Sequence, residues 1–271
     1  MSSFSTYKES IDKLIEISFN AGKAIMDIYN TDFVSKEKKD HSPITEADIV
    51  SNEIITNALK KLAPDIPILS EESANISFSD RAKWNEYWLV DPLDGTKEFI
   101  KKNGEFTTNI ALIRGNRPVF GVIHAPAKSE TYWGAEEIGA YMLNGDVESD
   151  SKKISVYRPN NSEIRIISSR SHPSPQLRSL FARLTQYNVI EIGSSLKFCK
   201  IAAGEADCYP RLGPTSEWDS AAGEIIALSA GGIMTDLKGH PIRYNLKRDY
   251  LNPSFVLSNN TKDQEKILSL I

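Results

Sequence analysis

At 271 residues, with 40% hydrophobic and 25% charged residues, the chain has the length for one large domain or two modest ones and the composition of a globular protein. A formal net charge of -4 excludes a dedicated nucleic-acid binder, because a phosphate backbone calls for a basic surface. Anionic ligands must be met locally, by a few lysines and arginines or by metal ions. The two cysteines, Cys199 and Cys208, have neither C-x-x-C nor zinc-type spacing and are expected to be core thiols of a protein in the reducing cytoplasm. No stretch approaches the roughly 18 uninterrupted apolar residues of a spanning helix, and residues 1–7 lack a basic region followed by an apolar core. Neither an integral membrane segment nor a secretion signal is expected; peripheral attachment at the inner face of the membrane through partners stays open.

Residues 7–30 carry Ile11, Leu14, Ile15, Ala21, Ala24, Ile25 and Ile28, the spacing of an amphipathic helix of about six turns. Residues 36–41 read as a charged loop, and Ser42-Pro43 marks the next boundary. Thr45-Glu46-Ala47-Asp48 has the form of an N-terminal capping box, from which Ala47, Val50, Ile54, Ala58 and Leu62 carry a second helix onward. On local sequence, Asp48 is a helix-start acid favoured by the helix dipole. A short strand at 66–69 ends in Ser70-Glu71-Glu72-Ser73. Next, Trp88-Leu89-Val90 reads as a buried strand that stops at Asp91, ahead of Pro92. Asp91 and Asp94 are then expected three apart in a turn, with Gly95 and Thr96 adding a permissive backbone, N–H groups and a hydroxyl.

D-x-x-D-G by itself is a common acidic turn that binds nothing. Carboxylates at two strand ends only ~20 residues apart, however, point to a shared cation, because ligands of α/β sheets gather at the carboxyl ends of strands. Residues 106–113 and 118–125 read as a hairpin, and 130–134 and 139–143 continue it in antiparallel fashion. Residues 144–153 are expected to be looped and to hold a boundary between an N-terminal α+β domain, 1–150, and a C-terminal α/β domain, 151–271. In the latter, strands at 163–167, 189–192 and 208–211 alternate with helices at 175–184, 196–203 and 218–230. A strand at 255–258 and a helix at 262–271 close the chain. Three polar constellations stand at strand ends or helix starts, suited to anionic groups: Ser168 to His172, Ser194 to Lys197, and Tyr209-Pro210-Arg211 leading into Glu217-Trp218-Asp219.

D-P-L-D-G-T at Asp91 to Thr96, E-E at Glu71-Glu72 and W-D-S-A-A-G at Trp218 to Gly223 resemble the inositol monophosphatase superfamily of lithium-sensitive, magnesium-dependent phosphomonoesterases. More narrowly, D-G-T-K-E-F at Asp94 to Phe99, S-R-S-H at Ser169 to His172, G-S-S-L-K-F-C at Gly193 to Cys199 and Y-P-R-L-G-P-T at Tyr209 to Thr215 are similar to the CysQ-type 3'(2'),5'-bisphosphate nucleotidases. The resemblance implies an α/β (α+β) chain with a layered α-β-α-β-α sugar-phosphatase-like fold. It implies one Mg²⁺ on Glu71, Asp91 and the Leu93 carbonyl, a second on Asp91, Asp94 and Asp219, and a water oriented by Asp48 and Thr96 together with Glu71. The Gly95 and Thr96 N–H groups and the start of the Asp219 helix would face the phosphoryl oxygens, and His172, Ser194, Lys197 and Arg211 the nucleotide and its non-reacting phosphate.

The implied reaction is hydrolysis of adenosine 3',5'-bisphosphate to AMP and phosphate, with a sulfated relative as second substrate, Li⁺ as inhibitor, a place in sulfur metabolism and an assembly compatible with a homodimer. The alternatives are an inositol monophosphate or sugar bisphosphate phosphatase, and a non-catalytic nucleotide- or metal-binding regulator. Physical chemistry independently calls for cations here, since unit charges ~4 Å apart repel by roughly 4 kcal/mol at an effective dielectric near 20. An oxygen-only donor set suits Mg²⁺ rather than zinc.

Overall fold

The computed structural model describes residues 7–38, 43–147, 149–157, 163–171 and 175–271. Alternation along the central strands sets the layering. In β5 (Thr107–Arg114), Ile110 and Leu112 face one way and Ala111 and Ile113 the other, and all four are buried, so both faces of this sheet must be covered. One face packs on α1 (Tyr7–Tyr29) and α2 (Glu46–Leu62), through Ile11, Leu14, Ile15, Ile55 and Leu59 against Trp88, Val90, Phe120 and Val122. The other packs on α6 (Leu196–Ala202) and α7 (Glu217–Ser229), whose far sides meet a second sheet through Ile167, Tyr209, Phe255 and Leu257. Helices α5 (Pro175–Arg183) and α8 (Thr261–Leu268) cover the outside of that sheet. The result is the expected α-β-α-β-α stack.

The first sheet has seven strands: β3 (Ile68–Ser70), β4 (Glu86–Asp94), β5, β6 (Arg117–Ala125), β7 (Glu130–Ala135), β8 (Gly139–Asn144) and β9 (Lys152–Ile154). Only its β3–β4 pair is parallel. The second has the order β11-β10-β12-β14-β13, built from β10 (Ile164–Ser169), β11 (Tyr187–Ile192), β12 (Cys208–Arg211), β13 (Ile233–Asp236) and β14 (Phe255–Ser258). Cys199 and Cys208 are free and buried, as expected.

Helix α7 lies almost on the backbone of the first sheet. A Cβ on Gly121 of β6 would stand 2.6 Å from the Ala222 carbonyl oxygen and 2.8 Å from its Cα, so the approach requires glycine. Gly121→Ala is expected to destabilise the fold by about 1–3 kcal/mol, the usual cost of overpacking, and to lower the thermal midpoint by several degrees in a melting experiment.

Several local expectations are corrected. Strand β4 does not stop at Asp91: it runs to Asp94 with a register shift between those two acids. Pro92 sits in this irregular stretch, where no ladder N–H is asked of it, and its carbonyl accepts from the Ser51 hydroxyl at 2.6 Å. Part of the charged loop is strand β1 (Ser35–Glu37), paired with β2 (Pro43–Thr45); residues 39–42 of that loop lie outside the described residues. Strand β9 begins inside the stretch expected to be looped. On α2 the buried stripe is Ala47, Ser51, Ile55 and Leu59, offset from Val50, Ile54 and Ala58, because Asp48 and Ser51 turn inward to polar partners. A short helix, α3 (Phe78–Arg81), also went unanticipated.

Candidate active site

Two capping boxes aim two acids. Asp48 is the third residue of α2, and its Oδ2 accepts from the Thr45 N–H at 2.7 Å and the Thr45 hydroxyl at 2.6 Å, while Oδ1 accepts from the Thr96 hydroxyl at 3.1 Å. Asp219 is the third residue of α7, where Oδ2 accepts from the Ser216 N–H at 3.0 Å. Each box spends one oxygen on its own helix start and leaves the other for a distant partner. For Asp48, the helix-start reading and a role toward Thr96 therefore hold together.

Strand β4 supplies Asp91 and Asp94. Asp91 is buried, and its Oδ1 accepts from the Leu93 N–H at 3.1 Å. Gly95 follows with φ +91°, a conformation that only glycine adopts readily, and a Cβ there would meet the Glu105 carbonyl oxygen at 3.0 Å. This turn starts α4 (Thr96–Ile100) and brings the Thr96 hydroxyl to Asp48 and, at 3.4 Å, to the Leu93 carbonyl. The Ser195 N–H and the Asn109 side chain favour the charged form of Asp94 against its burial. Behind it, the Ser195 hydroxyl donates to Asn109 Oδ1 at 2.7 Å and lies 2.7 Å from the Thr107 hydroxyl.

The acids converge. Glu71, in the 3-10 turn Glu71–Ser73 after β3, and Asp91 and Asp219 each offer an oxygen within 4.8 Å of the others. Asp94 is outside that group of three but presses on its charges. Burial, then Glu71, Asp94, Asp219 and Asp48, hold the Asp91 carboxyl well above the usual carboxylate range. Burial, then Asp94 and Glu71, push Asp219 up to about 8. Burial also raises Glu71 and Asp94, against the opposing effects of Lys38 on the first and Lys197 on the second. Wholly or partly buried, oxygen-only and mutually repelling, these carboxylates fit hard divalent cations.

Cations stand around the acids. Lys38 donates to Glu71 Oε1 at 2.8 Å and to Glu72 Oε1 at 2.5 Å. Lys197 is buried and donates to the Ser194 carbonyl; burial brings its ammonium down to about 8, although Asp94 favours the charged form. Arg211 donates to the Thr215 hydroxyl and, at 2.6 Å, to the Pro214 carbonyl. Lys197 and Arg211, together with Ser169, Ser194, Tyr209 and Trp218, border a cleft of about 300 Å³ between the two sheets, with Glu71, Asp91, Leu93, Asp94, Gly95, Thr96 and Asp219 on its wall. Asp48 is set back behind Thr96. His172 lies outside the described residues.

Sequence reasoning missed Lys38, whose two glutamates lie 33 and 34 residues away. It also missed Thr107 and Asn109, although three buried polar residues, Thr107 to Asn109, at the head of an apolar strand were a readable signal. Arg170, which read either as a donor for anions or as a surface charge, pairs with Glu105 at 2.9 and 3.1 Å, and Glu105 also takes the Gly193 N–H at 2.7 Å, which anchors the turn holding Ser194.

The chain belongs to the inositol monophosphatase family, whose model matches residues 7–271. Among its relatives, the 3'(2'),5'-bisphosphate nucleotidase CysQ of Shigella flexneri is 44% identical over 252 residues, covering 92% of this chain and 99% of that one. The CysQ of Escherichia coli K12 is 42% identical with the same coverage. A solved CysQ from Bacteroides thetaiotaomicron, described as a bacterial member of the inositol monophosphatase family, superposes with a TM-score of 0.81 at 37% identity, covering 94% of this chain and all of that one. An IMPase from Thermotoga maritima shares the fold, with a TM-score of 0.79 at 24% identity. Among the described residues no helix is long and apolar enough to cross a membrane.

Proposed function

We propose that the protein is a Mg²⁺-dependent phosphomonoesterase that hydrolyses adenosine 3',5'-bisphosphate to AMP and phosphate. The observation that carries this reading is the convergence of Glu71, Asp91 and Asp219 in one cleft with Asp94 beside them, facing Lys197 and Arg211. The kinship with bisphosphate nucleotidases named CysQ selects the substrate. Glu71, Asp91, Asp94, Asp219 and the Leu93 carbonyl would hold two or more Mg²⁺ ions. Bound there, the ions supply positive charge against the phosphoryl oxygens and the leaving oxygen.

The chain's own groups do the rest. Asp48 is fixed by Thr45 and accepts the hydrogen bond of the Thr96 hydroxyl, so the Thr96 oxygen presents its lone pairs to a water in the cleft and orients it, with Glu71, for in-line attack. The Gly95 and Thr96 N–H groups and the start of α7 face the phosphoryl oxygens. Ser194, Lys197 and Arg211 take the non-reacting phosphate, Arg211 through a guanidinium already oriented by Thr215; His172 belongs to the same set by resemblance. Li⁺ is expected to inhibit. A cytoplasmic location is in keeping with two buried, unpaired thiols.

Phosphate release from adenosine 3',5'-bisphosphate and from inositol 1-phosphate, measured side by side with Mg²⁺ and then with added Li⁺, tests the reading. The bisphosphate is expected to be preferred; preference for the inositol ester would overturn the assignment. Lys197→Met is expected to raise KM for the bisphosphate about 10-fold or more while leaving turnover of a substrate without the second phosphate within a few-fold, since one buried charge-assisted contact is worth about 1.5–3 kcal/mol. Equal losses on both substrates would place Lys197 in the chemistry instead.

A further inference from the structure

Away from the cleft, one charge is buried completely. Arg81, at the end of α3, has no exposed surface, and its guanidinium lies 5.0 Å from the Phe78 ring and 4.4 Å from the Tyr250 ring. It donates to Asn245 Oδ1, to the Lys247 carbonyl at 2.8 Å and to the Arg248 carbonyl at 2.7 Å. Asn245 returns a hydrogen bond to the Arg81 carbonyl at 2.7 Å, and its backbone N–H reaches both carboxylate oxygens of Glu217, at 2.9 and 3.0 Å. Burying an arginine is costly unless its donors are met, and apolar packing could hold a loop more cheaply. The arrangement of its partners gives the charge a use.

Residues 244–252 form no helix or strand, so their backbone groups must find partners elsewhere. Apart from Tyr244, whose backbone pairs with Asn116, they find them chiefly on two neighbours. One is the stretch that follows Glu71: besides Arg81, the Tyr250 hydroxyl donates to the Ala74 carbonyl at 2.7 Å. The other is the start of α7: the Glu217 N–H donates to the Tyr250 carbonyl at 2.7 Å, the Asn252 N–H to the Thr215 carbonyl at 2.8 Å, and the Asn252 side chain to the Ser216 carbonyl at 3.2 Å and the Ser220 hydroxyl at 2.5 Å. Glu71 and Asp219 thus approach each other from two segments that are bound to the same strap.

We propose that Arg81, Asn245, Glu217 and Tyr250 are positioning residues that set the separation of Glu71 and Asp219, and with it the affinity of the cleft for divalent cations. This rests on the reading of the acid cluster as a Mg²⁺ site. Supporting groups behind metal ligands typically change metal affinity by about 10–100-fold when removed.

The test is Mg²⁺ binding to the substrate-free chain by titration calorimetry, alongside the Mg²⁺ concentration that half-saturates phosphate release. Asn245→Ala is expected to weaken Mg²⁺ at least about 10-fold, and Tyr250→Phe, which deletes only the hydroxyl on the Ala74 and Ile76 carbonyls, about 3-fold, with KM for the bisphosphate unchanged once Mg²⁺ saturates. Glu217→Gln, which keeps an acceptor for Asn245, should retain more Mg²⁺ affinity than Glu217→Ala. A merely structural strap would lower the melting temperature and leave Mg²⁺ affinity alone. Affinities within about twofold of the parent in Asn245→Ala and Tyr250→Phe overturn the proposal, and Tyr250→Phe decides alone if Asn245→Ala does not fold. A parent chain that binds Mg²⁺ but releases no phosphate defeats the proposed reaction and leaves this binding comparison intact.

Discussion

Asp91→Asn is expected to lower kcat/KM for the bisphosphate by about 10³-fold or more while raising the thermal midpoint of the metal-free protein. The two effects have one origin. Asp91 is buried, and the charges that act on it most strongly are the carboxylates of Glu71, Asp94, Asp219 and Asp48, so its ionised form is tolerable only with a cation present. The amide keeps the oxygen that accepts from the Leu93 N–H and removes the charge. Loss of a single electrostatic contributor to a transition state commonly costs about 10²–10³ in rate, and a group shared by two cations should lie at or beyond the upper end. Relief of even ~1 kcal/mol of repulsion corresponds to a rise of about 2–4 °C for a chain of this size class. Paired activity and melting measurements, the latter in chelator at pH 8, provide the check. Retained turnover would remove Asp91 from the cation site, and a lowered midpoint would mean that its charge stabilises the fold.

Chelation of divalent cations is expected to abolish activity and to reveal a characteristic pH dependence of stability. In the metal-free chain, burial followed by Asp94 and Glu71 raises Asp219 to about 8, far above an ordinary aspartate, and Asp91, Asp94 and Glu71 shift in the same direction. The folded state therefore holds protons that the unfolded state has released. Stability from these groups is fully present below the ordinary carboxylate range and is lost as pH rises toward 8. Mg²⁺ binds the ionised form and competes with those protons. The rise in melting temperature on adding Mg²⁺ should thus be larger at pH 8 than at pH 5.5, reaching several degrees at pH 8. A concentration of 100 times the dissociation constant is worth about 2.7 kcal/mol. Equal shifts at the two pH values would mean that the acids are not displacing protons to bind the metal.

Much of this molecule can be read from its pattern, and the failures have particular causes. Period-3.6 spacing located α1, and long apolar runs located β5 and β6, because both faces of the first sheet are buried and nothing dilutes the signal. Strands β1, β9 and β13 escaped because three or four residues such as Ser-Lys-Glu or Lys-Lys-Ile carry no period; β9 owes its extended form to pairing with β8. The buried stripe of α2 was misplaced because hydrophobicity cannot register Ser51, a buried residue whose partner is a carbonyl 41 positions away. The acids of the cleft were legible one by one, as strand ends, one capping box and one helix start. The clamp between Arg81 and Asn245 was not, since its two halves are 164 residues apart and each reads locally as an ordinary polar residue.

The register shift in β4 decides which way its two acids point. In an unbroken strand, residues an odd number of places apart point to opposite faces. Asp91 and Asp94 are three apart, yet they lie across from Asn109 and Thr107, which are two apart on β5. The extra residue restores parity and puts both carboxylates on the cleft side. Substitutions at Pro92 or Leu93 that keep the bulge should preserve this parity, whereas any that let the strand run regularly at its present length would turn one acid away from the other. Over this stretch the requirement falls on the bulge itself, since the same spacing in a regular strand would split the pair.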